Sequence, residues 1–285
     1  MAYEKQNFLD GQIVTADHLN HMENGIIAAQ NPRNLLDNSD FRNPVNQRGA
    51  TSYSGVCYTI DRWRSWGESM QINVSNGGII VSGGALYQYV LCEPSKTYTA
   101  AICLSDGTII CSSGVPSENG IGDYNTLWVD RSDDNLMFRI GFDAIEHKYV
   151  WAALYEGAYT ANTLPPYVPR GYAAELAECQ RYFWRCNNTW HAEGMGYAFS
   201  NTEYRVSIVL PQMMRVTPTM ISSTGDTTSY GIKIHTGGGA NITPTAVTLS
   251  MKNNRIALTL AGTFTNGELG VLRLENDYLD FSADL

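Results

Sequence analysis

The chain is short of charge. Asp, Glu, Lys and Arg make up 16% of its 285 residues, where an ordinary soluble domain has about a quarter. Lys and Arg number 19 against 28 Asp and Glu, a formal net charge of −9. With no basic run, no binding to nucleic-acid phosphates is expected. No apolar stretch approaches the ~18 residues of a membrane helix, so no membrane insertion is expected either. The opening MAYEKQNFLDGQ has no basic stretch leading into an apolar one. Synthesis in a cytoplasm with no signal peptide is the corresponding expectation. Six cysteines, at 57, 92, 103, 111, 179 and 186, include no C-x-x-C pair, against a zinc ribbon or a thioredoxin-type site. Reduced and mostly buried thiols are expected. G-x-S-x-G, H-E-x-x-H, the P-loop pattern and the EF-hand loop are also missing, and no catalytic activity is expected. A glycosidase needs only two carboxylates that meet in space, so a polysaccharide hydrolase stays open as an alternative.

What is present is aromatic and polar. The chain is 44% hydrophobic and 11% aromatic, too apolar for disorder. Its length gives room for two domains with cores of their own. Thr and Asn each outnumber Lys and Arg combined, and there are 26 Gly. Such a composition suits strands joined by turns better than a helical enzyme. The expected fold class is mainly β: a short N-terminal α-helix, a β-sandwich of the jelly-roll kind and a smaller C-terminal β domain.

Four stretches follow in order. In residues 1–32, Thr15 is a plausible N-cap with Asp17 in the first turn. Leu19, Met22, Ile26 and Ala29 recur at spacings of three, four and three, an a/d seam of about two heptads. Asn31-Pro32 ends it. A helix of roughly 22 Å is marginal alone, so it docks on the following domain or trimerises with its own copies. Residues 33–157 alternate short apolar runs with turn signals such as Asn76-Gly77-Gly78 and Asp106-Gly107. Residues 158–186 are a proline-rich linker or extended strap followed, over 171–186, by a short amphipathic helix or helical turn. Residues 187–285 return to β, with Val206, Ile208 and Leu210 on one face and Asn253-Asn254 as a hairpin turn.

Candidate functional residues come from aromatics and polar loops. Flat rings can cover the C–H faces of sugars while Asn, Asp and Gln bind hydroxyls. Trp63, in Asp61-Arg62-Trp63, reads as a core indole beside an ion pair, and Trp128 and Trp151 read as core. Trp190 and His191 follow the polar Asn187-Asn188-Thr189 and are candidate ligand contacts, together with Tyr197 and Tyr230. Gly237-Gly238-Gly239 allows close backbone approach. His18 and His21 read as solvated helix residues.

Several segments resemble bacteriophage tail fibre and receptor-binding proteins. FLDGQIVTADHLNHMENGI is similar to the N-terminal segment of tail and baseplate proteins. NLLDNSDFRNPVNQRG with YTIDRWRSW resembles the start of a carbohydrate-binding-module-like jelly roll. LYEGAYTANTLPPYVPRGYAAELAECQRYFWR resembles the hinge to a terminal head. SIVLPQMMRVTPTM and LDFSADL resemble strands of that head. The order of these segments along one chain is more specific than any one of them. The resemblance implies a homotrimer at a tail tip of a virion or prophage-derived particle. It implies attachment to a tail or baseplate protein through the N-terminus, and binding of a bacterial surface glycan or other receptor. It also makes Asp37 and Asp40 candidates for a structural Ca²⁺, with a turn-capping role as the other reading. A purely structural tail component is a further alternative.

Overall fold

A computed structural model describes residues 13–20, 22, 32–93, 95–116, 120–132, 135–141, 146–187, 194–223, 225–274 and 278–284. Among them the chain is mainly β, in antiparallel sheets. It divides into two compact units. Unit 1 is 1–43, 51–57 and 64–170; unit 2 is 44–50, 58–63 and 171–285.

At the N-terminus residues 16–20 are helical. The Thr15 hydroxyl accepts from the His18 amide, and the Thr15 amide donates to the His18 ring. Thr15 thus caps the helix where its sequence predicts. Leu19 and Met22 are exposed; Ile26 and Ala29 lie outside the described residues.

Unit 1 holds two sheets. One runs β1 (Ser52–Ser54), β3 (Gln71–Ser75), β4 (Gly78–Ser82), β11 (His147–Glu156), β6 (Tyr98–Leu104), β7 (Ile109–Gly114). The other runs β2 (Arg64–Trp66), β5 (Ala85–Leu91), β10 (Asn135–Gly141), β9 (Leu127–Ser132), β8 (Ile121–Asp123). Leu86, Phe138, Ile140 and Val129 from the second sheet, and Ile72, Ile79 and Ile102 from the first, are wholly buried, the inner faces of a sandwich. The hairpins turn where expected: Gly77 and Gly107 take positive φ, and Asp106 caps the Thr108 amide at 2.8 Å.

The outer face of the six-stranded sheet is also covered. Ala101, Cys103, Trp151, Ala153 and Tyr155 form a second apolar cluster, against which Tyr159, Leu164 and Tyr167 pack. These last three come from the proline-rich stretch, which is therefore a strap. Trp151 and Tyr167 stack at 4.7 Å with planes 4° apart. The strap ends at Arg170, whose guanidinium pairs with Asp37 at 2.9 Å and donates to the Asn34 and Leu36 carbonyls. Beyond the reach of β4, residues 35–41 take over as neighbour to β11 through Leu35–Leu154, Ser39–Ala152 and Phe41–Val150 backbone bonds. Trp151 is thus buried as expected, but beneath the strap and outside the sandwich interior.

The C-terminal part of unit 2 begins with a helix, Tyr172–Cys179. The helix expected over 171–186 stops early because Phe183, Trp184 and Cys186 join a strand, β12 (Phe183–Asn187), paired to β21 (Tyr278–Ser282). Bulky aromatics favour an extended, half-buried setting. With β15 (Thr219–Ser222) these make a three-stranded sheet in the order β12-β21-β15. The larger sheet has seven strands: β17 (Asn241–Ile242), β16 (Ile232–Thr236), β20 (Leu269–Leu274), β13 (Gly194–Ala198), β14 (Glu203–Val209), β19 (Arg255–Ala261) and β18 (Ala246–Lys252). Val206, Ile208, Ile256, Leu258 and Leu272 alternate inward onto one core with Leu279 and Phe281. The Asn253-Asn254 turn forms as the sequence predicts, with Asn253 at φ 57°.

Residues 44–50 and 58–63, which their place in the sequence groups with the jelly roll, pack instead with unit 2. Gln47, Arg48, Asp61 and Arg62 tie them there. Asp61 takes Arg48 as an ion partner, and Arg62 lies over the Tyr182 ring at 3.4 Å. Beside the buried Trp63, Asp61 thus has an ion partner 13 residues earlier in the chain, and Arg62 a ring contact far later in it.

Candidate functional site

The outer face of the five-stranded sheet in unit 1 gathers the chemistry. Residues directly opposite in antiparallel strands share a face. One register line crosses the sheet through Arg64, Tyr87, Arg139 and Trp128. At the usual strand spacing this line spans about 14 Å. The next line on the same face is Tyr89, Met137 and Asp130. Trp66, opposite Ala85, stands at the margin and is 44% exposed.

The rings hold one another in place. Trp66 meets Tyr87 edge-on at 5.9 Å, and Tyr87 meets Tyr89 edge-on at 5.4 Å. Tyr124 packs on Trp128 at 5.6 Å, and the guanidinium of the buried Arg139 lies 4.2 Å from the Tyr124 ring centre. Such T-shaped pairs and cation–π contacts fix ring orientation in advance of any ligand. The Trp128 indole N–H donates to Asp130 at 3.2 Å. Burial pushes the Tyr87 hydroxyl pKa up, and the Arg64 guanidinium beside it draws it back. Gly120, at φ +65°, lies against the Trp128 indole so closely that a Cβ there would collide with the ring. Beside Trp66 a cavity of about 310 Å³ opens, lined also by Val56, Ser65, Gly67, Glu68 and Tyr87.

Trp128 is therefore half-buried on an outer face, a correction to its reading as core. Its neighbours Leu127 and Val129 point inward; the apolar run hid the alternation. One sequence signal for this face was available: Tyr87 and Tyr89, two apart in ALYQYVL, must share a side of their strand.

The residues singled out from sequence fall elsewhere. Trp190 and His191 lie outside the described residues. Tyr197 sits on the outer face of the seven-stranded sheet, edge-on to Phe199 at 6.4 Å. Tyr230, at φ 54°, is half-buried and packs against the core of unit 2. Gly237–Gly239 form the hairpin tip between β16 and β17. Asp37 faces Arg170, and Asp40 holds Arg42 through both carboxylate oxygens at 2.6 and 3.0 Å. Among the described residues no group of three His, Cys, Asp or Glu could hold a metal ion, and no helix is long and apolar enough to cross a membrane.

Comparisons with protein-family models, with curated proteins and with solved structures find no match to this chain.

Proposed function

We propose that this chain is a receptor-binding tail fibre protein of a phage or prophage-derived particle, gripping a bacterial surface glycan through the outer face of the five-stranded sheet. The observation that carries the binding assignment is the exposed Trp66 ring at the cavity edge with Arg64 and the half-buried Trp128 on the same face, set in place by Tyr87 and Arg139 buried between them. Rings there cover the apolar faces of sugars, while Arg64, Asp130 and Glu68 address hydroxyl or acidic groups. The particle assignment rests on the ordered resemblances along the chain.

A shallow sugar site is weak alone, and three copies on one axis raise avidity without new contacts. Self-association is supported by exposed apolar side chains on the seven-stranded sheet, with Met195, Tyr197 and Leu269 adjacent across β13 and β20. Phe199 continues that stripe beneath the Arg205 guanidinium. Leu19 and Met22, exposed on the N-terminal helix, are the described part of a seam for trimer formation or for attachment to a tail or baseplate protein.

The test is adsorption. Purified protein is expected to block particle binding to host cells, and Trp66→Ala is expected to weaken the block about tenfold while leaving the fold intact. Light scattering is expected to give three times the chain mass. Undiminished blocking by Trp66→Ala together with Trp128→Ala would remove this face from the reading. Release of reducing sugar from host polysaccharide would turn the assignment to a hydrolase. Failure to block adsorption would turn it to a structural tail component.

A further inference from the structure

The cavity beside Trp66 discriminates by charge. It holds about 310 Å³, at the small end of ligand pockets, which run from about 300 to 1,000 Å³. Two of its walls are rings. The exposed Trp66 and the largely buried Tyr87 meet at 5.9 Å with planes 70° apart, an aromatic corner. Val56 and Gly67 bring no polar side chain to the lining. Ser65 is engaged inside the fold, where its hydroxyl donates to the Gly55 carbonyl and accepts from the Cys57 amide. Glu68 is the charged residue of the lining. It is exposed, and among the described residues its carboxylate has no ion-pair or hydrogen-bond partner.

We propose that this cavity takes an ammonium group carried by the surface polymer, on an unacetylated amino sugar or a choline-type substituent, with its positive charge held against the Trp66 and Tyr87 rings and the Glu68 carboxylate. The inference rests on the glycan-binding reading of this face and narrows it from sugars in general to cationic ones.

Each wall favours a cation for its own reason. The face of an indole or phenol ring is the negative end of its quadrupole and attracts ammonium groups. A carboxylate with no internal partner adds a charge-assisted hydrogen bond to a primary amine, or a plain Coulomb attraction to a quaternary one. It repels a phosphate or a uronic acid at the same place. Arg64 stands beside the Tyr87 hydroxyl and is not part of the lining. Unit 1 as a whole carries nine Lys and Arg against seventeen Asp and Glu, a field that draws cations in. The corner is also set before any ligand arrives. Gly67, at φ +113°, turns the chain after β2 so that Trp66 and Glu68 line one cavity. The Gly67 carbonyl accepts from the Met70 amide at 3.2 Å and closes that turn. Gly84 lies so close to the Trp66 carbonyl that a Cβ there would collide with it. Less ordering is then left for binding to complete.

Titration of the full chain with glucosamine, choline and N-acetylglucosamine, followed by NMR at the tryptophan indole N–H groups, tests this. The better of the two amines is expected to bind about tenfold more tightly than N-acetylglucosamine, with a gap that narrows as salt rises. Glucosamine ahead of choline identifies the amino sugar as the source, and the reverse order the quaternary substituent. Glu68→Gln, at an exposed side chain, is expected to bring amine and N-acetyl forms within about twofold of each other and to leave N-acetylglucosamine binding unchanged. Equal affinity for amine and N-acetyl forms in the wild type, a preference kept by Glu68→Gln, or no binding of either amine would overturn the ammonium assignment. The glycan-binding face survives those results wherever Trp66→Ala still weakens the block of adsorption. Undiminished blocking by Trp66→Ala together with Trp128→Ala removes the face, and the ammonium site falls with it.

Discussion

In unit 1 the strands β6, over Tyr98–Cys103, and β11, over Trp151–Tyr155, are buried on both faces. In unit 2 the strands β14 and β19 alternate, one residue buried and the next exposed or half-exposed. Both units stack antiparallel sheets, but among the described residues only the first spends chain on covering an outer face. The strap 158–170 lies over one sheet, and an interlocked set of rings occupies the other. The charge differs too. Unit 1 holds nine Lys and Arg against seventeen Asp and Glu, whereas unit 2 holds ten against eleven. Outward positions in unit 1 are thus committed to packing or to a ligand, while those of β14 and β19 are open to change. Unit 2 is sensitive elsewhere, at the buried ions that anchor its borrowed segments.

That contrast can be broken in graded steps. Arg48→Ala leaves two buried carboxylates, Asp61 and Asp284, without the cation they share and is expected to cost unit 2 about 3–5 kcal/mol. Denaturation followed by exchange at β14 and β19 amides checks it, and unit 1 amides are expected to hold. Tyr167→Ala removes the ring stacked on Trp151 and is expected to cost unit 1 about 2 kcal/mol, visible as altered Trp151 fluorescence and an earlier unit 1 transition. Gly120→Ala strains a positive φ and displaces the Trp128 ring, at a cost of about 1–3 kcal/mol, with weaker glycan binding in calorimetry. Trp66→Ala, at an exposed ring, is expected to weaken glycan binding about tenfold, or ~1.4 kcal/mol, with little change in melting. Ser207→Ala, on the open face of β14, is expected to stay within about 0.5 kcal/mol of wild type.

Local chemistry was legible in the sequence, and long-range pairing was not. Mainly β architecture, the Thr15 cap, the Asn76-Gly77 and Asn253-Asn254 turns, and the inward Val206, Ile208 and Leu210 all follow from period and turn residues. A strap was one of two readings of 158–170, but what it covers was not legible, because Tyr159, Leu164 and Tyr167 share no period and their partners lie on β6, β7 and β11. Trp128 was misplaced for a related reason: an outward aromatic between the inward Leu127 and Val129 makes a continuous apolar run, so alternation disappears from the residue pattern over those three positions. Arg48 gave no signal at all, since Asp61 and Asp284 are 13 and 236 residues away along the chain. The candidate ligand face was half legible. Tyr87 and Tyr89 announce a shared side, but which strands line up beside them is decided by register.

The borrowed segments carry a consequence for recombination. A chimaera made by a single crossover near residue 187 would leave β12 behind with the donor of the first half, and one made at 171 would still strand Gln47, Arg48 and Asp61 on the wrong parent. Exchange of the last unit between related genes has to carry residues 44–50 and 58–63 with it, or else find a recipient whose own loops already match the incoming sheet. Inheritance of the C-terminal half is in this sense bound to two short pieces of the N-terminal half.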